Sequence, residues 1–402
     1  MKIERPSYIA QIEPYVGKKI IKVLTGIRRS GKSRLLEMVA VSLREKGIPE
    51  TRLIYANFES KMDESVRSAE AMAARVKKAA EANVGERLYL FFDEIQELPG
   101  WEKLVNSLDV DFDVDLYLTG SNARMLSSEL STYLGGRYVE IHVYPLSFSE
   151  ALPSLKARGL DERKAFFEYV RLGGMPFIYD SGISGLPAKA YLEDLFNSIV
   201  LKDIASRRQV RDIDLLERIL VYLSSEVAHS FSPTSLMKYL KNEKRSCGLE
   251  TIYNYAEFAV EACFLNRIRR YDLVGKELLS TQEKIYLTDH GFREAKLGMN
   301  ERHIDRILEN IVAIELVRRG WTVEVGRFRS LEIDFVASKG RDREYIQVAY
   351  LMPDESTRMR EFTPLQELTG DNFPRRVLTL DEVDFSENGI IHQSLIDWCL
   401  QR

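Results

Sequence analysis

The sequence predicts an α/β fold built on a parallel sheet, and three observations carry that expectation. Ile20-Ile21-Lys22-Val23-Leu24 is an apolar, β-branched run that passes through Thr25 into Gly26-Ile27-Arg28-Arg29-Ser30-Gly31-Lys32-Ser33, and residues 33–41 then repeat apolar side chains at helical spacing. A second apolar run, Leu88-Tyr89-Leu90-Phe91-Phe92, ends in Asp93-Glu94. Between and after these, strand-like and helical patterns alternate: strand Arg52–Phe58, helix Asp63–Ala82, a helix around Trp101, Leu104, Val105 and Leu108, and strand Val114–Leu118.

The first element is the most informative. Gly26 to Ser33 reads G-x-x-x-x-G-K-S, a phosphate-binding loop between a strand and a helix. Glycines at both ends let the backbone curl so that successive N–H groups point inward, where they and the positive helix end hold phosphate charge. Gly26, Arg28, Arg29, Ser30, Gly31, Lys32 and Ser33 are therefore the expected nucleotide-binding residues, with Lys32 reaching the β- and γ-phosphates and the Ser33 hydroxyl on Mg2+. The acids after the 88–92 strand complete the pattern. Asp93 is placed to hold Mg2+, and Glu94 to polarise the attacking water as general base. ATP and Mg2+ are the implied cofactors.

Further polar residues end the next strands. Val114–Leu118 runs into Thr119-Gly120-Ser121-Asn122, and Ser121 and Asn122 are candidates to contact the γ-phosphate or the water; a plain turn is the alternative. Arg137 follows Gly135-Gly136 and precedes strand Tyr138–Val143, which makes it a candidate arginine finger, acting in its own subunit or on a neighbour in a homo-oligomer. A short helix in 5–19, with Tyr8, Ile9, Ile12, Tyr15 and Val16 at helical intervals, is expected to pack beside the base or simply to cover the core.

Composition sets the bounds. At 402 residues, two or three domains are expected. Lys and Arg number 57 against 61 Asp and Glu, a formal charge of −4, so nothing global argues for a nucleic-acid-coating protein. Cys247, Cys263 and Cys399 are far apart and odd in number, fitting neither a disulfide framework nor a zinc site. The opening residues carry no apolar signal core, and no apolar run approaches the ~20 residues that span a bilayer. A cytoplasmic chain without a membrane partner is the expectation.

Together, Thr25–Ser33, Phe92-Asp93-Glu94-Ile95-Gln96, Leu118–Asn122, Gly135-Gly136-Arg137 and Tyr144-Pro145-Leu146-Ser147-Phe148 resemble a prokaryotic AAA-type ATPase family, abundant in archaea and some bacteria, with a C-terminal domain of unknown function. The resemblance spans essentially the whole chain. It implies ATP and Mg2+, and it implies that Asn57 acts as a sensor orienting Glu94. The expected order is an ATPase domain over 1–145, a helical lid over 146–210, a winged helix over 211–300 and an α/β domain over 301–402.

Within the lid, Lys202, Arg207, Arg208 and Arg211 form a local basic cluster, either a phosphate contact or a solvated face. The winged helix is read from helices near Ile213–Leu223, Ser232–Leu240 and Glu250–Ala262, then strands Phe264–Ile268 and Lys284–Leu287. Its charge is mixed. Lys238, Lys241, Lys244, Arg245, Arg267, Arg269 and Arg270 are basic, but the third helix carries Glu250, Glu257 and Glu261. In the last domain, helix Ile304–Arg319 with Glu309, strand Leu331–Ala337 with Asp334 and strand Glu344–Tyr350 with Gln347 resemble a restriction-endonuclease-like core. That resemblance implies a metal site at Glu309, Asp334 and Gln347, but Ala349 stands where such enzymes carry a lysine. Three functions follow: an ATPase working on or with DNA, a nucleotide-dependent switch acting on a protein partner, or an ATP-gated, metal-dependent nuclease.

Overall fold

A computed structural model describes residues 3–60, 62–121, 135–245, 247–298 and 303–402, with the side chains of all of these except 279–282. The chain forms two compact units, the first comprising Glu4–Tyr144 with Glu261–Cys263, the second Pro145–Val260 and Phe264–Arg402.

The first unit is a three-layer α/β sandwich. Its elements are α1 (Pro6–Ile12), β1 (Ile21–Thr25), α2 (Lys32–Glu45), β2 (Leu53–Asn57), α3 (Ala69–Ala82), β3 (Leu88–Asp93), α4 (Trp101–Asp111), β4 (Val114–Thr119) and β5 (Tyr138–His142). The sheet order is β2-β3-β4-β1-β5, and every pairing is parallel. β1, β3 and β4 are buried along their whole length, which is why they read as unbroken apolar runs. Ile21, Val23, Leu90, Phe92, Leu116 and Leu118 face one layer, packed with Met72 and Val76 of α3 and Leu104 and Leu108 of α4. Leu24, Phe91 and Tyr117 face the other, against Tyr8 and Ile12 of α1 and Leu35, Leu36 and Val39 of α2. Each such fully buried Leu or Phe contributes on the order of 2 kcal/mol.

One charged pair lies inside this core. Lys22 and Asp115 form a wholly buried ion pair between β1 and β4, and the Tyr117 hydroxyl and the Gly17 N–H donate to Asp115 Oδ2 at 2.9 and 2.8 Å. These added donors are what make a buried carboxylate tolerable.

The second unit opens with α5 (Phe148–Ala157), α6 (Glu162–Leu172), α7 (Pro176–Ser181), α8 (Gly185–Ser198) and a π-helical stretch over Ile199–Ser206. Ser147 starts α5 with a reciprocal capping box to Glu150, whose carboxylate also accepts from Arg318 at 2.7 Å. The glycines that follow α6 are required by close packing: a Cβ on Gly173 would lie 1.9 Å from Asp289 Oδ1, and one on Gly174 2.2 Å from the Leu146 carbonyl.

Three helices follow, α9 (Ile213–Ser225), α10 (Pro233–Asn242) and α11 (Leu249–Glu261), then hairpin β6 (Leu265–Asp272) and β7 (Glu277–Leu287). Ser232 caps α10 through the Ser235 N–H, with Pro233 in its first turn. The rest is α12 (Gly291–Leu297), α13 (Ile304–Arg318), β8 (Thr322–Phe328), β9 (Leu331–Lys339), β10 (Asp342–Val348), α14 (Glu355–Gln366), β11 (Arg375–Thr379), β12 (Ile390–Ser394) and α15 (Leu395–Cys399).

Here the structure departs from the reading of separate modules. β6 pairs in parallel with β8, so the hairpin expected to complete a winged helix over 211–300 is the edge of one mixed seven-stranded sheet, ordered β12-β11-β10-β9-β8-β6-β7. The segments 211–300 and 301–402 thus share a sheet. Sequence periodicity identifies strands but says nothing of which distant strand they pair with.

Candidate functional site

The site of the first unit lies at the carboxyl end of its parallel strands, where β1 turns into α2. Gly26 is confined there: its φ is +139°, and a Cβ would sit 2.3 Å from the Val143 carbonyl. Gly31, with φ near +99°, turns the chain into α2. Arg29 is also in the left-handed region, at φ 65°, and its side chain is exposed. Arg28 lies 3.5 Å from Glu59. Ser30 is fully buried, and its Oγ has no hydrogen-bond partner among the described residues. Lys32 folds back over the loop, donating to the carbonyls of Gly26 and Ile27 at 3.0 and 3.1 Å.

The two expected halves of the site meet. Ser33 Oγ donates to Asp93 Oδ1 at 3.0 Å, bringing the first residues of α2 against the last residue of β3. Asp93 is almost wholly buried, and burial raises its pKa, partly offset by hydrogen bonds from Thr119 and Ser33. A hydroxyl and a buried carboxylate converging beside a phosphate loop suit a hard divalent cation with few protein ligands, so these residues fit Mg2+. Glu94 follows at φ 50°, in the left-handed region that non-glycine residues adopt infrequently. Gln96 Nε2 donates to its Oε2 at 2.5 Å.

Two contributors, Thr119 and Arg5, were not singled out in the sequence. Thr119, the last residue of β4, donates to Asp93 Oδ1 at 2.6 Å and accepts from the Glu94 N–H at 2.9 Å. It thus ties the two acids that follow β3 to the end of β4. Ser121 is buried beyond the strand, and Asn122 lies outside the described residues. The signal was available: in a parallel sheet it is the final strand residue that aligns with the acid of the next strand. Asn57, expected to orient Glu94, donates instead to Asp93 Oδ2 at 3.1 Å. Arg5, just before α1, is buried and clamps the loop: it donates to the carbonyls of Ser30 and Tyr144 at 2.9 and 2.7 Å while lying 4.4 Å over the Tyr8 ring. The N-terminal helix thus braces the phosphate loop.

Arg137 does not join them. It precedes β5 at the amino end of the sheet, where its carbonyl accepts from the Ile21 N–H and its guanidinium holds Asp109 at 2.7 Å and Asn106 at 3.0 Å. The phosphate loop is at the opposite end of the strands, so a finger acting within the same subunit is ruled out. Strand direction, which places residues before and after a strand on opposite edges, was the missing constraint.

A second polar cluster lies in the mixed sheet. Glu309 of α13 and Asp334 of β9 do come together, joined by Glu332. Asp334 Oδ2 accepts from the Val348 N–H at 2.9 Å. Gln347 Oε1 accepts from the Asp334 N–H at 2.7 Å, and its amide lies 3.3 Å from Glu361. At the centre is a lysine the sequence reading missed. Lys284 Nζ of β7 lies 2.9 Å from Glu309, 2.8 Å from Glu332 and 3.7 Å from Asp334. Burial opposes its charge, but the three carboxylates outweigh burial and raise its pKa. Burial, with the charge of Glu309, pushes Asp334 up to about 7. The space between these carboxylates is taken by the Lys284 ammonium, and Asp334 Oδ2 and Gln347 Oε1 are held by backbone N–H groups, so the residues as arranged do not fit a divalent metal. Among the described residues no group of three or more His, Cys, Asp or Glu is arranged to hold one.

The parallel β2-β3-β4-β1-β5 sheet, the loop and its paired Ser33 and Asp93 define a P-loop nucleoside-triphosphatase unit of the AAA type, and residues 18–152 match a family described as an AAA domain. Residues 163–303 match a domain of unknown function (DUF8612). The chain is 36% identical over 406 residues to a protein of Haemophilus influenzae described only as "Uncharacterized protein", covering 99% of both, and it belongs to the same family. It is 29% identical over 391 residues to a Methanocaldococcus jannaschii protein, covering 91% of this chain and 83% of that one. Among solved structures, the Aeropyrum pernix ORC1 protein in complex with DNA aligns over 79% of this chain and 94% of its own at 13% identity, with a TM-score of 0.31. No helix among the described residues is long and apolar enough to cross a membrane.

Proposed function

We propose that this AAA-type protein is a Mg2+-dependent ATPase whose turnover is coupled to contact with DNA. The observation that carries the ATPase reading is the 3.0 Å bond from Ser33 to Asp93, which joins the two halves of the metal and phosphate site. On ATP binding, Lys32 exchanges its two loop carbonyls for phosphate oxygens, a stronger charge-assisted partner. Mg2+ held by Ser33 and Asp93 would neutralise charge on the β- and γ-phosphates. Glu94 then orients and deprotonates the attacking water, held by Thr119 and Gln96.

The DNA part of the reading rests on Lys238 and Lys241 of α10 and Lys244 just after it, all exposed. Ammonium groups on one such face suit backbone phosphates and carry no base preference. One observation favours the second reading, a switch acting on a protein partner. The hairpin arginines are neutralised internally: Arg267 by Glu257 and Glu283, Arg269 by Glu283, and Arg270 by Glu332.

Steady-state ATP hydrolysis with Mg2+, with and without single-stranded and duplex DNA, separates the two. Lys32→Ala is expected to abolish turnover. DNA is expected to raise turnover, and replacing Lys238, Lys241 and Lys244 together with Glu is expected to remove that increment, while each single Lys→Ala change is expected to flatten the salt dependence of DNA affinity by about one unit of log–log slope. Turnover that ignores every DNA form would refute the DNA reading and leave the protein-directed switch.

A further inference from the structure

We infer that the Lys284 ammonium is the resident cation of the Glu309–Glu332–Asp334 cluster, and that the mixed-sheet domain is therefore a metal-independent module that cleaves no phosphodiester bond. The inference concerns the second unit alone and does not depend on the ATPase reading.

The charges converge from three elements. Glu309 comes from α13, Glu332 and Asp334 from alternate positions of β9, and Lys284 from β7, which is separated from β9 in the sheet by β8 and β6. Carboxylates meeting from a helix and a strand would repel one another unless a cation lay between them. A hydrolytic metal site meets that need with a divalent ion 2.0–2.6 Å from each oxygen. Here a covalently attached ammonium meets it at hydrogen-bond distances of 2.8 and 2.9 Å. The side chain is 6% exposed, so it is a built part of the interior rather than a surface lysine resting on an acidic patch.

The surrounding bonds hold this arrangement. The Tyr286 hydroxyl donates to the same Glu309 Oε1 at 2.7 Å, and Arg270 takes the other oxygen of Glu332. The second oxygen of Asp334 and the amide oxygen of Gln347 are spent on backbone N–H groups. A divalent ion entering here would have to expel a buried ammonium and break these bonds. An ammonium held by carboxylates in this way has no lone pair with which to activate water, so Lys284 is not a displaced catalytic base for the lysine missing at Ala349. Its role is to tie β7 and its hairpin to α13 and β9, the same joint that the β6–β8 pairing makes through the backbone.

The test is Mn2+ binding to the full chain without nucleotide, read by electron paramagnetic resonance, together with thermal unfolding. Wild-type protein and Asp334→Asn are expected to bind Mn2+ equally weakly and to respond to it identically in thermal unfolding, any shared response belonging to Ser33 and Asp93. Lys284→Ala is expected to melt lower in metal-free buffer, to bind Mn2+ at least about tenfold more tightly than wild type, and to regain part of its melting temperature as Mn2+ is added. The added Asp334→Asn change is expected to remove that gain. Lys284→Met, which keeps the aliphatic stem, checks that the effect follows the charge. Mn2+ binding by the wild type that Asp334→Asn weakens would overturn the inference. So would Lys284→Ala and Lys284→Met proteins that fold and melt as the wild type does.

Discussion

Under the proposed reading, much of the chemistry rests on two single side chains, Glu94 and Thr119. Glu94→Gln keeps the shape and the Gln96 contact but cannot accept a proton. It is expected to bind ATP normally and to hydrolyse it at least about a hundredfold more slowly, the usual loss when a general base is removed. Single-turnover measurements with a fluorescent nucleotide read both quantities, and retained turnover would exclude Glu94 as the base. Thr119→Val keeps the branched shape but removes the hydroxyl that links Asp93 Oδ1 to the Glu94 N–H. Leaving those two groups short of a partner costs about 1–3 kcal/mol. Because the acid and the base both lose their anchor, turnover should fall more than ATP affinity. An equal loss in both would mean that Thr119 serves binding only. Spacing along the chain does not pair Thr119 with Asp93, 26 positions away; the parallel alignment of β3 with β4 does.

At the scale of elements, the strand–loop–helix and the acid-tipped strand were legible because each is local: burial on both faces of β1 and β3 leaves a continuous apolar run, and the loop has its own sequence signature. The motif Tyr144-Pro145-Leu146-Ser147-Phe148 was legible too, and the structure gives it a structural meaning in the Ser147–Glu150 capping box of α5. The short element α12 was not foreseen, yet the residues that lead into it carry a titration. His290 is buried, its Nε2 lies 2.9 Å from the Tyr169 carbonyl, and burial pulls its pKa from 6.5 down to about 4. The unfolded chain therefore binds the proton more readily, and stability is fully present above pH 6.5 and lost as pH falls toward 4. Between pH 7 and pH 5 this histidine alone should remove about 2 kcal/mol. Its neighbour Asp289, pushed up to about 6 by burial, acts in the opposite sense, so the readout is a difference. Urea unfolding of the wild type should weaken over that pH range by about that amount more than unfolding of His290→Gln. Parallel curves for the two proteins would contradict the assignment.

At the scale of the whole molecule, the unsettled charge is Arg137. Its place at the amino end of the first sheet, paired with the buried Asp109, gives it a structural task in its own subunit. Arg137→Ala is expected to lower the stability of the first unit by about 1–3 kcal/mol, because a buried carboxylate loses a charged partner. Turnover per subunit should be unchanged at dilutions where the chain is monomeric. If turnover of the wild type rises with protein concentration and that of Arg137→Ala does not, the arginine acts on a neighbouring subunit; sedimentation across the same concentrations would report the assembly.

By itself the sequence determined the α/β class, the nucleotide loop, Asp93 and Glu94, because those depend on contiguous residues and on the burial that β-strand periodicity records. Only the tertiary structure decided which distant groups meet them. It set Arg5 against the loop, Thr119 and Asn57 against Asp93, and Arg137 at the far edge of the sheet. It also merged the β6–β7 hairpin into the C-terminal sheet and put Lys284 among three carboxylates. The physical reason is common to all of these. Strand pairing and charge pairing join residues far apart in the chain, and their geometry is set by register and strand direction, which no local pattern of side chains encodes.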